Sequence, residues 1–371
     1  MPLEKYTCIE SFSGCGGLAL GLRRAGFRVR AAFDIDKWAV KTYVHNLGQS
    51  CYQADARSVT GAELLERAKV NQGDCILFSG GPPCQGFSKQ KRGAENGDVR
   101  NLLINEYIRL VKEILPKFFL LENVDQLGKA RGTEFVANLS QQLSLGGYSI
   151  FHHFFNGADF GLAQTRVRYM IIGKRSDIPH RFALPTTTHS NHWRTVRDVI
   201  GDLPEPPEDY TDHPDFPNHQ RARVTPENIK RFSFVPEGGG WKNIPLKYRL
   251  PCHQDEQKSG GWPDVYGRLR WDGQCPTITG GFDSFTRGRY GHPQFDRPLT
   301  PREAARLQGF PDEFVFLGTR GHIRSQIGNA VPPPLAEAVG KAISDCLRNR
   351  VPKEALAADS MVSINQGNLW N

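Results

Sequence analysis

Four side chains offer the most chemistry in this sequence: Cys84 in the run FSGGPPCQGFS, Glu122 in ENV, and Arg166 with Arg168 in QTRVR. A cysteine attacks as its thiolate, a carboxyl group can give or take a proton, and two arginines aimed one way suit an anion or a hydrogen-bond acceptor. The residues before Cys84 favour a positioned nucleophile. Gly80 and Gly81 let backbone come close to a ligand, while Pro82 and Pro83 fix φ and hold the chain extended. The competing reading is a buried free cysteine, but a loop this poor in apolar side chains has little core to offer.

The elements that must position these groups can be read on either side of them. The run from Cys75 to Phe78 is apolar and reads as a short strand, turned at its end by Ser79-Gly80-Gly81. The continuous apolar run from Lys117 to Leu121 reads as a strand covered on both faces and ends at Glu122. Two strands of one parallel sheet then bring Cys84 and Glu122 to the same carboxyl edge, where α/β folds place ligands. Between them, residues 89–99 are polar, charged and glycine-containing, suiting a loop that closes over substrate, and residues 101–115 form an amphipathic helix stopped by Pro116. Residues 160–173 read as a half-buried strand segment. Alternation along it puts Arg166 and Arg168 on one face, although a surface ladder answering acidic neighbours would look the same.

Upstream, a strand over residues 6–11 leads into FSGCGGLALGLRRAGF, where Gly14, Gly16 and Ala19 fit G-x-G-x-x-[GA] ahead of a helix. A second strand follows and ends at Asp34, twenty residues after Gly14, the position from which a carboxylate meets ribose hydroxyls. Asp55 is a candidate for an adenine amino group, with a helix cap or turn residue as the alternative.

From about residue 177 the texture changes to proline, histidine, glycine and aromatic residues. A basic and aromatic mixture (Arg221, Arg223, Lys230, Arg231, Lys242, Lys247 and Arg249 with Phe232, Phe234, Trp241 and Tyr248) suits a phosphate-tracking surface. His189 and His192 lack a neighbouring Cys or Glu cluster, so no metal is expected. Order returns at Thr300-Pro301, with Glu303 completing a capping box, and a last helix runs from Pro333 to Arg348 with Leu335, Val339, Ile343 and Leu347 on one stripe. The formal net charge of +8 favours a polyanionic partner. Eight scattered cysteines without a CxxC pair read as reduced thiols, and no apolar run reaches membrane-spanning length, so a cytoplasmic protein is expected.

Six blocks in order (ESFSGCGG, GGPPCQGFS, ENV, QTRVR, RPLTPREAARLQGFPD and QIGNAVPPPLAEAVG) span most of the chain, and together they resemble the motifs of the bacterial DNA (cytosine-5)-methyltransferases. The resemblance implies an α/β, Rossmann-like, S-adenosylmethionine-dependent enzyme that acts on a cytosine flipped from duplex DNA. It implies a large domain over residues 1–176, a small, mostly irregular target-recognition domain over 177–297, a return to the large domain over 298–350, and a flexible tail. Cys84 would be the nucleophile and Glu122 the group at cytosine N3. Arg166 and Arg168 would position the base and the active-site loop. Phe12, Gly14, Gly16, Gly17, Leu18, Asp34, Ile35, Asp55, Pro82, Asn329 and Ala330 would surround the methyl donor. Glu10 stands where this family usually has Asp, and Asp34 where it usually has Glu, which would re-aim the ribose contact. A monomer is expected, working alone or beside a restriction endonuclease that shares its site. A tRNA cytosine-5 methyltransferase is the nearest alternative. A catalytically silent DNA-binding regulator would not need Cys84 and Glu122, and a nicotinamide-dependent dehydrogenase gives no role to Glu122 with the two arginines.

Overall fold

The computed structural model describes residues 6–83, 102–129, 132–254 and 264–350. Through the first part of the chain the elements are β1 (Tyr6–Ser11), α1 (Gly17–Arg24), β2 (Phe27–Asp34), α2 (Lys37–Leu47), β3 (Cys51–Gln53), α3 (Gly61–Ala68), β4 (Leu77–Gly80), α4 (Leu102–Ile114), β5 (Phe118–Val124), α5 (Thr133–Leu145) and β6 (Tyr148–Asn156). They continue with β7 (Gln164–Thr165), β8 (Val167–Arg175), α6 (Arg197–Ile200), α7 (Pro226–Phe232), β9 (Cys275–Pro276), α8 (Pro301–Leu307), α9 (Arg320–Asn329) and α10 (Pro333–Leu347). The chain forms two compact units, one within residues 1–156, 167–188 and 331–371, the other within 157–166 and 189–330. Residues 298–330 belong to the second unit, and the chain rejoins the first at Val331.

The first unit is built on a seven-stranded sheet of order β3-β2-β1-β4-β5-β8-β6. Strands β1 to β5 pair in parallel, and β8 runs antiparallel to both β5 and β6. The order reverses at β1, whose neighbours are β2 and β4, so the carboxyl ends of β1 and β4 border the crevice where such sheets take ligands. Register makes those ends level, because Ser11 pairs with both Phe33 and Gly80, and Gly80 pairs with Leu121. Strand β4 begins two residues later than the apolar run suggested and continues through Ser79 and Gly80, held on both sides by β1 and β5.

The core on one face of the sheet packs Ile9, Phe33, Phe78, Phe119 and Leu121 against Tyr107, Val111 and Ile114 of α4. Tyr107 is fully buried, so its hydroxyl needs a partner. It donates to the carbonyls of Leu120 and Phe78 at 2.9 and 3.2 Å. On α10 the expected stripe is present, with Leu335, Val339 and Ile343 fully buried. This helix packs closely on α1: a Cβ on Gly21 would lie 2.2 Å from the Pro333 carbonyl oxygen, so only glycine fits there.

The second unit has little regular structure. Its small core gathers Phe232, Val235, Trp241, Ile244, Val265, Tyr266 and Phe285. Irregular backbone still needs hydrogen-bond partners when buried, and here buried guanidinium groups supply many of them. Arg268 donates to the carbonyls of Val235, Phe232, His292 and Phe295, and Arg302 to those of Pro217, Pro311 and Phe314. Helix α8 opens as the sequence predicts, with a reciprocal capping box between Thr300 and Glu303 and Pro301 in the first turn. Helix α9 was not expected, since RGHIRSQIGN has no continuous apolar stripe. Near residues 268 and 276 strand pairing amounts to the two-residue β9 and an isolated bridge at Arg268.

Next to α8, His292 is 3% exposed, and its Nδ1 accepts the Gln294 and Phe295 amides at 3.2 Å, which fixes the neutral ring. Burial lowers its pKa to about 4, helped by Arg297 and Arg268 and opposed by Glu303. Because the folded value lies below the ordinary one, stability from this group is complete above about pH 6.5 and is lost as pH falls toward 4. Urea midpoints measured between pH 7.5 and 5 should show a loss on the order of 2 kcal/mol. His292→Asn should flatten that slope, and an unchanged slope would contradict the assignment.

Among the described residues no helix is long and apolar enough to cross a membrane, and no group of three or more His, Cys, Asp or Glu is placed to hold a metal ion.

Candidate active site

The turn after β1 is shaped by three residues in the left-handed region: Phe12 at φ 51°, Gly14 at 53° and Gly16 at 99°. Holding a bulky residue such as Phe12 there costs about 1 kcal/mol, and such positions cluster at ligand sites. Gly16 is needed for space as well, since a Cβ there would come within 2.5 Å of Leu47. The Asp34 carboxylate, at the tip of β2, ties this turn down by accepting the amides of Gly14 and Asp36, each at 2.8 Å. Burial raises its pKa, and those amides oppose the rise. Each carboxylate oxygen keeps a second lone pair, so Asp34 can brace the loop and still accept a further donor. Ile35 beside it is 63% exposed, an apolar surface at the sheet tip. Leu18 is buried in the core, which leaves only its backbone and that of Gly17, at the start of α1, to face a ligand. Glu10 lies fully buried below the turn, where burial and then Asp34 raise its pKa well above the ordinary carboxyl value, and Tyr43 donates to it at 3.5 Å. Asp55 follows β3 and is engaged by the Arg57 amide and guanidinium, which hold its carboxyl below its ordinary pKa.

The other wall comes from β4 and β5. Gly81 follows Gly80 and so lies alongside Glu122, which follows Leu121. Glu122 and Arg168 are each 8% exposed, and Arg168 Nε lies 3.0 Å from Glu122 Oε1. Burial pulls the Arg168 pKa down, and the Glu122 carboxylate opposes this. The second oxygen, Oε2, lies 3.1 Å from where a Cβ on Gly81 would stand. Asn123, next along β5, donates to the Pro82 carbonyl at 2.9 Å and pins the loop that leads to Cys84. Cys84 itself, and the loop expected at 89–99, lie outside the described residues. Gly81→Ala should push Glu122 out of line and lower kcat by about 10²-fold with little change in melting temperature. Unchanged single-turnover rates would contradict the contact.

Arg166 and Arg168 are not partners in one strand. Strand β7 ends at Thr165 and β8 starts at Val167, so Arg166 falls in the break, and the expected same-face alternation does not hold. In the second unit Arg166 is 1% exposed and donates to the carbonyls of Ile278, Gly328 and Ala330 at 2.8, 2.9 and 3.0 Å. These contacts fix the backbone on both sides of Asn329. Phe12, Gly14, Gly16, Gly17, Leu18, Asp34, Ile35, Asp55, Pro82, Glu122 and Arg168 therefore share the first unit, while Arg166, Asn329 and Ala330 belong to the second.

Six of the seven described cysteines are buried and all seven are free thiols. Burial pushes Cys15, Cys51 and Cys75 up to about 12, so none of these three is poised as a thiolate near neutral pH. Sequence reasoning missed Asn123, whose only signal was its place between Glu122 and Val124.

The family model for C-5 cytosine-specific DNA methylases matches residues 6–345. Type II methyltransferase M1.HphI of Haemophilus parahaemolyticus is 34% identical over 91% of this chain and 86% of its own length. Type II methylase M.HgiDII of Herpetosiphon aurantiacus is 33% identical over 90% and 94%. Among solved structures, a prophage-encoded E. coli protein described as a DNA modification methyltransferase has a TM-score of 0.69 and 29% identity, covering 93% of this chain and all of its own.

Proposed function

The chain belongs to the C-5 cytosine-specific DNA methylases, and from that premise we propose that it methylates C5 of a cytosine turned out of duplex DNA, with Cys84 as nucleophile and S-adenosylmethionine as methyl donor. The observation that carries the reading is the buried Glu122–Arg168 pair, set one register step from the loop that leads to Cys84.

Cytosine C5 is too weak a nucleophile to take a methyl group unaided. Addition of the Cys84 thiolate at C6 pushes electrons toward C5, and a proton shared between Glu122 and N3 limits the negative charge that builds on the ring. Arg168 holds Glu122 in one orientation and adds a positive charge nearby. C5 then takes the sulfonium methyl as its S–C bond breaks and S-adenosylhomocysteine leaves, and loss of the C5 proton with departure of Cys84 restores the ring. The base is unreachable inside a stacked duplex, so it must be extruded, at a cost of roughly a few kcal/mol.

The donor fits the turn after β1. Phe12, Gly14, Gly16, Gly17 and Leu18 line its methionine end, Asp34 takes the ribose hydroxyls, Ile35 packs on the adenine and Asp55 meets its amino group. Pro82 completes the part of the shell that the first unit supplies. The open space around Gly14 supports this assignment, since a Cβ there would meet nothing within 4 Å. Lys230, Lys247 and their aromatic neighbours in the second unit track the DNA backbone. The Type II names of the relatives support a role beside a restriction endonuclease with the same site. We assign the enzyme as a cytoplasmic monomer.

Purified protein given labelled S-adenosylmethionine with either duplex DNA or tRNA tests the reading. Label is expected in 5-methylcytosine of the DNA. Label in tRNA alone, or in neither, would overturn it.

A further inference from the structure

We propose that Arg109 is a positioning residue for the adenine end of the donor site, acting through the turn that carries Asp55. The inference rests on the assignment of Asp55 to the adenine amino group.

Residues 55–59 form a tight turn in which the amides of Ser58 and Val59 both donate to the Asp55 carbonyl, at 2.9 and 3.3 Å. That arrangement satisfies the inward side of the turn and leaves the carbonyls of Ala56 and Val59 needing donors from elsewhere. Arg109 supplies both. Its Nη2 donates to the Ala56 and Val59 carbonyls at 3.0 and 2.8 Å across about fifty residues of sequence. Two carboxylates of the same helix hold the guanidinium in place, Glu106 on Nε at 2.7 Å and Glu113 on Nη1 at 2.8 Å. Glu113 reaches further, accepting the Gly61 amide at 2.6 Å just past the turn. Gly61 is required there, because a Cβ would lie 2.5 Å from Glu113 Cβ.

Helix α4 thus grips the Asp55 turn at three backbone points, 56, 59 and 61. The Asp55 carboxylate is oriented separately by Arg57. Local side chains set the direction of the carboxylate, and α4 sets where its backbone stands. A ligand contact made from this turn depends on both. A guanidinium can bridge two carbonyls with one planar nitrogen while its other nitrogens stay on carboxylates, which an ammonium cannot reproduce.

The test is calorimetric binding of S-adenosylhomocysteine and of S-inosylhomocysteine, in which an oxo group replaces the adenine amino group, to the full chain and its variants. The wild type should prefer the adenine compound. Arg109→Gln should weaken S-adenosylhomocysteine about tenfold and erase the preference, with the kinetic defect confined to the donor KM. Arg109→Lys should recover little, and Asp55→Asn combined with Arg109→Gln should add no further loss. If Arg109→Gln does not fold, Glu113→Gln tests the same link and should show a smaller loss of the same kind. Wild-type affinity and preference in the Arg109 variants, or in Glu113→Gln where that one is read, would overturn the proposal. If Asp55→Asn alone leaves the preference intact, the donor assignment of Asp55 fails first. If Asp55→Asn erases it and the Arg109 variants keep it, only the role of Arg109 fails.

Discussion

Cys84→Ser should lose methyl transfer by about 10⁴-fold or more and should no longer be captured by duplex DNA containing 5-fluorocytosine. A serine hydroxyl is almost wholly protonated near neutral pH and has no neighbouring base assigned to it, so addition at C6 becomes the step that cannot proceed. In the wild type, a fluorine at C5 leaves no proton to remove after methylation, and the enzyme stays bonded to the ring. Peptide mapping of that adduct should find it at Cys84. Burial removes Cys15, Cys51 and Cys75 as competitors, since each has its pKa pushed to about 12. An adduct mapped to any other residue, or a serine variant that still turns over, would remove the nucleophile assignment.

Glu122→Gln should lower kcat by about 10²- to 10⁴-fold while leaving the DNA dissociation constant within a few-fold of wild type. The amide keeps the shape and loses the exchangeable carboxyl proton, so the defect belongs to ring activation and not to docking. Arg168→Ala should reach a similar rate by a different route. Without the 3.0 Å ion pair, the carboxylate loses the guanidinium that helps to orient it, and a buried charge loses this compensation. Arg168→Lys should recover part of that loss, because a charge returns but the planar geometry does not. Single-turnover rates with DNA in excess separate these effects from product release. Wild-type rates in Glu122→Gln would show that the carboxyl does not meet the base.

The first unit was legible because its signals are local and strong. The glycine turn after β1 and the apolar run that carries β5 to Glu122 each declare themselves within a few residues, and in the second unit the Thr300–Glu303 capping box does the same. The register that sets Gly81 beside Glu122 followed from parallel pairing alone. What stayed hidden depends on distance in sequence or on the absence of periodicity. Nothing near Arg109 announces that it serves Ala56 and Val59, and nothing near Arg166 announces Ile278, Gly328 and Ala330. Alternation misled at Arg166 because the chain breaks between β7 and β8 there. The Asp34 reading was incomplete for a related reason, since its bond to Gly14 closes a loop across twenty residues.

The buried arginines of the second unit also revise the meaning of the basic composition. Arg166, Arg268 and Arg302 are each 5% exposed or less and spend most of their donors on backbone carbonyls, with the Asp296 carboxylate also on Arg268, so part of the basic charge is internal scaffolding unavailable to a polyanion. A main-chain carbonyl is present whatever side chain it carries. A frame anchored through such oxygens is therefore indifferent to the identity of the amino acids it holds, and the segments strung between the anchors are free to be rewritten over evolutionary time without the frame being rebuilt.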